Sequence, residues 1–438
     1  MKDLKKILDQ RVSETFKNKM KFDILYVTDE SSRLSFTRGQ IALDEFRRFY
    51  ANIATVSVVT MDSNRFCNHT PDLSEFNVIW VDNVINGAFN TKLAQATDAV
   101  LTKVMPDWKD GIDELNDEEY GQYIELVNEI RATYCRIIYT LDEFVWEAPA
   151  GRQKNVISAK TVESAMDISD EVIVPNAEMA GALKELGLVD EKKEVIVIPT
   201  FMSDYFYPVN KNFRKSNSLS TRIRKPRVLV KGTVIPENVQ NFIIHSTDQF
   251  AFTVCSVSEL DDRLMKLIAD HKVENLIHWA NPYVNSRNMF KTAALERDGN
   301  FDFVLLTVPT EEDENNNEVV VDPYNITNVD TDALMGVAYG AVVLAGVEGA
   351  HYGKGMHLCV ESKMTFNNKT SVKDLNAMLT KWSICANWDS AYDAQRKLLG
   401  TKLVSSPSVL GGYFNAMLGR TVAEARKKHF DDIPVESK

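Results

Sequence analysis

The sequence predicts an α/β protein built from two tandem, doubly wound domains. The chain has 438 residues, more than one ordinary core accommodates, and its 44% hydrophobic and 26% charged content is typical of folded globular proteins. Short apolar runs alternate with helical patterns along it, as in parallel sheets whose strands are joined by crossover helices. The alternation occurs in two series, and the first series ends near residue 205.

The first series contains six apolar runs, which we interpret as strands buried on both faces. They lie at 22–27, 55–60, 77–84, 135–141, 171–175 and 194–200. Helices are predicted at 39–52, from about Asp113 to Thr133, and at 177–187, where Gly187 ends the helix. This series defines a Rossmann-like domain over residues 1–205.

The second series predicts another Rossmann-like domain over residues 206–410. Its apolar runs lie at 226–232, 249–257, 276–280, 301–308 and 340–346. Ligands of open α/β sheets bind outside the carboxyl ends of the strands. Two such domains in tandem are therefore expected to face a shared cleft that contains the chemistry.

The two ends of the chain and one internal segment have patterns of their own. Apolar residues recur at helical spacing near the start, which predicts a surface helix packed on the body or on a partner. They are Leu4, Ile7, Leu8, Val12 and Phe16. Residues 411–438 are predicted to form a closing helix, with a break at Gly419, and the acidic segment 311–322 a solvated loop or hairpin.

Composition excludes several classes of protein. No apolar run is long enough to span a bilayer, and the first residues lack the apolar core of a signal peptide, so a cytoplasmic protein is expected. The five cysteines are odd in number and widely spaced, which indicates reduced thiols instead of a disulfide framework or a zinc site. No bound metal and no permanent cofactor are predicted.

The segment from Asp170 to Pro208, DEVIVPNAEMAGALKELGLVDEKKEVIVIPTFMSDYFYP, carries a family resemblance. It resembles the end of the N-terminal domain in retaining GT-B glycosyltransferases, which run strand, short helix, strand, proline-containing turn and aromatic crossing into the donor domain. The segment RIIYTLDEFVWEAP at 136–149 is similar to a strand that these enzymes follow with acids and an aromatic residue at the cleft. Here those residues are Asp142, Glu143 and Trp146.

The resemblance implies a GT-B enzyme that moves a sugar from a nucleotide sugar, most simply a UDP-sugar, to an acceptor hydroxyl. Arg38, with Gly39 at a helix start, matches a basic residue that relatives direct at the donor. The family also has a glutamate for the donor ribose on the helix before Gly340, and this sequence has Met335 there. Either an aspartate makes that contact, or donor recognition is altered, or the site is inactive.

A departing nucleotide diphosphate gains negative charge, so the donor site needs fixed positive groups, which helix N-termini, Lys and Arg supply without a metal. Lys231 ends a strand and is followed by Gly232 and Thr233 in a turn; a solvated strand end is the alternative interpretation of Lys231. A second candidate is a helix that begins at Asp330, Thr331 and Asp332. Lys354, in the glycine-rich loop with His351 and Tyr352, completes the predicted donor-binding set.

An inverting enzyme needs a general base on the acceptor side, whereas a retaining enzyme can use the departing phosphate. Asp142 or Glu143 is the candidate base, and Arg38 is the third predicted catalytic residue. The alternative is structural for all three: the acids cap the next segment or pair with an arginine, and Arg38 is an ordinary surface residue.

Residues 205–236 contain no acid and eight basic residues, although the whole chain has a net charge of −12. Arg214, Lys215, Arg222, Arg224 and Lys225 are the predicted polyanion-binding residues. Hydroxymethylcytosine in bacteriophage DNA is the first acceptor to consider, with a glycan or teichoic-acid-like polymer next. A flexible basic loop, and a catalytically inactive binding or structural protein, are the alternatives.

Overall fold

The computed structural model describes most of the chain, and the structural statements below refer to these residues. They are 2–17, 20–29, 39–110, 112–141, 158–190, 193–199, 201–202, 224–232, 235–256, 262–274, 276–279, 295, 298–307, 310–312, 318–320, 327–345, 364–366, 369–401 and 407–419.

The chain divides into two compact units. The first draws on Met1–Glu30, Ala42–Ile198 and Pro407–Lys438, and the second on Ser31–Ile41 and Pro199–Ser406. The boundaries between the units lie near residues 198 and 406, whereas the sequence predicts them at 205 and 410. The shared cleft remains a prediction.

Each unit has its own parallel sheet. The first sheet has six strands in the order β2-β1-β3-β4-β5-β6 and the second has five in the order β13-β10-β7-β8-β9, while β11 and β12 form an antiparallel hairpin. The strands are β1 (Met20–Thr28), β2 (Ala54–Met61), β3 (Val78–Asp82), β4 (Arg136–Thr140), β5 (Glu171–Val174), β6 (Val195–Val197), β7 (Arg227–Gly232), β8 (Ala251–Ser256), β9 (Ile277–Trp279), β10 (Phe303–Leu306), β11 (Thr310–Glu312), β12 (Glu318–Val320) and β13 (Val342–Ala345).

Helices separate the strands, as in a doubly wound fold. The helices are α1 (Lys2–Lys17), α2 (Ala42–Phe49), α3 (Ser63–Asn68), α4 (Gly87–Val104), α5 (Asp117–Tyr134), α6 (Ala159–Ile168), α7 (Ala177–Glu185), α8 (Glu237–His245), α9 (Asp262–His271), α10 (Thr327–Ala338), α11 (Val372–Trp382), α12 (Cys385–Thr401) and α13 (Pro407–Leu418). The predicted fold class, two tandem Rossmann-like α/β domains, is confirmed.

Several local predictions are also confirmed. Gly187 and Gly340 adopt positive φ angles of 64° and 91° just after helices, where glycine avoids the strain of a side chain. The acidic segment contributes the β11–β12 hairpin. The N-terminal helix α1 packs on α5, where Leu8 joins Leu126 and Ile130 in one apolar cluster.

The prediction that every strand of the first sheet is buried on both faces is wrong for its two edge strands. In β6, Val195 and Ile196 are half-buried and Val197 is exposed. In β2 the exposure alternates. Thr55, Ser57 and Val59 are exposed, whereas Ala54 and Val56 are buried. Because β2 is an edge strand of its sheet, only one of its faces contacts the core. The sequence TVSVVT is rich in β-branched residues on both faces, and this composition concealed the alternation.

The C-terminal helix α13 packs on the first sheet. Phe414 contacts Phe22, Phe46 and Tyr50 through its ring, and Tyr413 lies 5.0 Å from Trp80 between ring centroids. Gly419 ends the helix with φ 78°, as predicted, and a side chain there would overlap the guanidinium of Arg136. The closing helix is therefore part of the first unit's core.

One hydrogen-bond arrangement recurs where strands enter the two sheets. Asp170, the residue before β5, donates its N–H to the carbonyl of Ile137 and accepts the N–H of Ile137 on Oδ2, at 2.8 and 2.7 Å. Asp302 before β10 makes the same pair of contacts with Arg227, at 2.9 and 2.8 Å, and Asn77 before β3 does so with Asp23. At each of these three points, a short polar side chain thus accepts the first hydrogen bond from the neighbouring strand.

Glu171 follows Asp170 in a region that contains several buried charges. Burial raises its pKa to about 7, although Arg136, 3.4 Å away, acts to lower it. Because the usual pKa of Glu is near 4.5, the folded state holds a proton on Glu171 between about pH 4.5 and 7 that the unfolded chain has released. The stability that this group contributes is therefore present below about pH 4.5 and lost as the pH rises through 7.

Glu171→Gln is expected to remove this pH dependence. Between pH 5 and 8 the variant should gain up to about 3 kcal/mol of unfolding free energy relative to the parent chain, because the amide has no charge to bury. Urea unfolding at several pH values measures the difference. Glu185→Gln, an exposed residue on α7, is the matched control, and parallel pH profiles for the parent and Glu171→Gln would contradict the prediction.

Candidate functional site

The order in which strands are added to the second sheet reverses between β7 and β10. The chain moves from β7 to β8 and β9 on one side, then returns to β10 and β13 on the other. In doubly wound folds, the connections on either side of such a point diverge, and ligands bind at the carboxyl ends of its two strands. Here those ends are Lys231 and Gly232 on β7 and Thr307, just after β10.

Lys231 is buried at this point. Its ammonium lies 2.8 Å from Oδ1 of Asp332 on α10, and only 4% of the lysine side chain is exposed, against 19% for Asp332. The alternative interpretation of Lys231 as a solvated strand end is therefore wrong. A buried cation next to one carboxylate is held in a fixed position, which is what an anion site at a sheet edge requires.

Gly232 and Thr307 bring the two strand ends into close contact. Thr307 donates its N–H and its hydroxyl to the carbonyl oxygen of Lys231, at 2.8 and 3.2 Å. A Cβ added to Gly232 would lie 1.8 Å from Thr307 Oγ1 and 2.7 Å from its carbonyl oxygen. The glycine thus permits a backbone approach that any other residue would block.

Gly232→Ala is expected to destabilise the second unit by about 2 kcal/mol, because the strand ends must separate to admit the methyl group. Chemical unfolding followed by a probe in the unit that carries the change measures the loss. Gly181→Ala on α7 is the control with the opposite sign, since open space surrounds Gly181 and alanine stabilises a helix interior. Equal effects of the two changes would contradict this account.

The helix with the candidate aspartates begins earlier than predicted. Helix α10 starts at Thr327, so Asp330, Thr331 and Asp332 lie within it instead of at its start. Asp330 and Asp332 are the fourth and sixth residues of the helix, so neither of them caps its start. Met335, at the position where relatives have a glutamate, is fully buried in the core of the unit.

The remaining predicted donor and catalytic residues lie outside the described residues. They are Arg38, Asp142, Glu143, Thr233 and Lys354, together with the neighbouring Trp146, His351 and Tyr352. Their roles remain predictions. The structure brings together Lys231, Gly232 and Asp332 of the predicted set.

Two of the predicted polyanion-binding residues are described, and both contact the amino edge of the second sheet. Arg224 lies 3.1 Å from the buried carboxylate of Asp302 and donates to the carbonyl of Asn300. Lys225 donates to the carbonyl of Thr247 at 2.8 Å. These contacts stabilise the strand entries, at the opposite edge from Lys231. Arg214, Lys215 and Arg222 lie outside the described residues.

The first sheet has a corresponding point between β1 and β3. The sequence predicts Arg38 in the segment after β1 but did not identify Asp82. Asp82 ends β3 and is 1% exposed, and its carboxylate accepts a hydrogen bond from the hydroxyl of Tyr26. Trp80 donates to Thr140 Oγ1 at 2.7 Å beside it. Asp82 could have been identified in the same way as Lys231, because each is a charged residue at the end of a buried apolar run.

The described residues give no sign of a metal centre or a membrane segment. They contain no group of three or more metal-ligating side chains of the His, Cys, Asp or Glu type. Four of the cysteines, Cys67, Cys135, Cys255 and Cys385, form no disulfide, and burial raises the pKa of the Cys135 thiol to about 12. In the same part of the chain, no helix is both long and apolar enough to cross a bilayer.

No protein-family model and no curated protein sequence matches the chain. Similar solved structures include the lipopolysaccharide outer core galactosyltransferase WaaB in its apo form, with a TM-score of 0.48 and 8% identity over 91% of this chain and 99% of that one. A protein from E. coli described as trehalose-6-phosphate bound with UDP-2-fluoro glucose has a TM-score of 0.46 and 9% identity, over 90% and 98%.

A mutant of S. aureus TarM in complex with fondaparinux, alpha-GlcNAc-glycerol and UDP has a TM-score of 0.43 and 9% identity. That match covers 82% of this chain and 58% of TarM, so this chain spans less than two thirds of TarM. At such identities the likenesses concern the fold. What the chain does must be inferred from its own residues.

Proposed function

We propose that the chain is a glycosyltransferase that takes its sugar from a nucleotide sugar held at the carboxyl edge of the second sheet. The observation that carries the proposal is the buried pair of Lys231 and Asp332 at the point where the strand order of that sheet reverses. Gly232 holds the ends of β7 and β10 together at this point, because Thr307 fills the space that a side chain would occupy.

The chemistry of the pair suits a leaving nucleotide diphosphate. The ammonium of Lys231 is a cationic hydrogen-bond donor, and the oxygens of a diphosphate are anionic acceptors. A lysine that is already fixed in a buried position stabilises charge that develops as the bond to the sugar breaks, without reorganisation at that moment. Asp332 positions the ammonium and is the carboxylate that we propose for the donor ribose.

We propose a retaining enzyme in which the departing phosphate accepts the proton of the acceptor. Asp142 or Glu143 would be the base if the enzyme inverts, and Arg38 is the proposed third catalytic residue. For the acceptor we propose hydroxymethylcytosine in DNA, in the cytoplasm of a bacteriophage host. The basic residues of this segment to which no other role is assigned, Lys211, Arg214, Lys215 and Arg222, support a polyanionic acceptor.

Calorimetric titration of the purified chain with UDP, GDP, ADP and dTDP and their sugars tests the donor site. Saturable binding of one nucleotide, followed by slow hydrolysis of its sugar and faster transfer to hydroxymethylated DNA, is the expected result. Unmodified DNA of the same sequence is the control. An absence of binding to every nucleotide would refute the proposal.

An inactive binding protein on the same fold is the second candidate. Met335, fully buried where the family resemblance implies a ribose-binding glutamate, favours it. The two candidates differ in a simple measurement. The inactive protein is expected to bind none of the nucleotides, whereas binding followed by turnover of the sugar identifies the transferase.

A further inference from the structure

A cavity lies at the amino ends of the strands in the second unit. Its volume is about 530 Å³, within the range of roughly 300 to 1,000 Å³ that is usual for small-molecule sites. Arg227, Ala251 and Ile277, which begin β7, β8 and β9, contribute to its lining. Arg227 and Lys231 are four residues apart on β7, so this cavity opens about 13 Å from the candidate donor site.

The floor of the cavity is apolar and preformed. Phe252, Ile277 and Phe301 are 2%, 5% and 5% exposed and belong to the core of the unit. Because core packing already holds these side chains, the floor need not reorganise when a ligand binds. Two of the three are aromatic, which suits a flat apolar group.

Ionisable side chains line the rest of the cavity. Arg227 donates from Nη1 to the carbonyl of Gly299 at 2.8 Å, and its backbone N–H bonds to Asp302. These contacts fix the arginine while other guanidinium N–H groups remain for a ligand. Within the described part of the chain, Arg227, Glu274 and His278 form no ion pair with one another or with other residues.

We propose that this cavity binds a small organic anion with a flat apolar body. The apolar body would lie on the aromatic floor, and a carboxylate or phosphate would accept hydrogen bonds from Arg227. Glu274 and His278 would contact polar substituents of the ligand. The cavity is separate from the donor edge, so the ligand binds whether or not a nucleotide sugar is present.

A pair of probes of equal shape tests the charge preference. Binding of 2-naphthoate and of uncharged 2-naphthylmethanol to the full chain is measured by saturation-transfer NMR and calorimetry. We expect 2-naphthoate to bind at least 10-fold more tightly, because one charge-assisted hydrogen bond is worth roughly that factor. Excess UDP should leave its affinity unchanged.

Three variants locate the site. Arg227→Gln should weaken 2-naphthoate about 10-fold and leave 2-naphthylmethanol unchanged, which also shows that the variant is folded. Leu276→Trp, at a lining residue that is 52% exposed, should block both probes, and Lys266→Gln on α9 should affect neither. Failure of both probes to bind at millimolar concentration, or equal affinities that Arg227→Gln does not alter, would overturn the proposal.

Discussion

Lys231→Met should weaken nucleotide binding by about 100-fold. Two charge-assisted hydrogen bonds to a diphosphate, at about 1.5 kcal/mol each, account for a loss of this size. Methionine fills nearly the same volume in the buried position, so packing around β7 should persist. Calorimetric titration with the nucleotide that binds the parent chain measures the change, and turnover of its sugar should fall at least as far.

Lys225→Met is the matched control for this prediction. It removes the same charge from the same unit, but Lys225 bonds to Thr247 at the opposite edge of the sheet. An equal loss of affinity in both variants would mean that the nucleotide responds only to the net charge of the unit. Unchanged binding in Lys231→Met would exclude the edge of β7 as the diphosphate site.

The unfolding free energies of the variants Lys231→Met and Asp332→Ala distinguish a loss of ligand contact from a loss of folding. Asp332→Ala leaves the ammonium of Lys231 buried without its carboxylate, whereas Lys231→Met leaves Asp332, whose side chain is 19% exposed, in partial contact with water. Asp332→Ala should therefore lower the unfolding free energy more. In Lys231→Met, weak nucleotide binding at nearly normal stability would assign the effect to the ligand contact.

Most strands could be predicted because a parallel sheet buried on both faces produces nearly continuous apolar runs. Runs such as EVIV at β5 and VVLA at β13 leave little ambiguity. The edge strand β2 was misread because β-branched residues occupy both of its faces. That α13 packs with Phe22 and Trp80 could not be predicted, since the helix and these residues are more than 300 positions apart in the sequence.

The candidate site was predictable only in part. Position identifies Lys231, because a charged residue that ends a buried strand lies at the ligand edge of the sheet. Its burial and its pairing with Asp332 depend on contacts 101 residues apart, which no local pattern contains. Thr307 and Asp82 were missed for a related reason, as each has its role through a neighbouring strand.

Asp170→Ala should strongly destabilise the first unit. Asp170 accepts two hydrogen bonds from Arg131, at 2.6 and 2.7 Å, and a third from the backbone of Ile137. Only 7% of the Arg131 side chain and 11% of the Asp170 side chain are exposed. Loss of the carboxylate leaves a buried guanidinium without its counter-ion and a strand N–H without its acceptor, at a cost of about 3 to 5 kcal/mol.

Urea unfolding of the parent and variant chains measures this cost, with Asp167→Ala on the exposed side of α6 as the control. Addition of Arg131→Met to Asp170→Ala should restore part of the lost free energy, because the second change removes the unpaired charge. A loss below about 1 kcal/mol for Asp170→Ala would mean that water satisfies Arg131. In that case the entry of β5, and by analogy the entry of β10 at Asp302, depends on apolar packing instead of on the buried carboxylate.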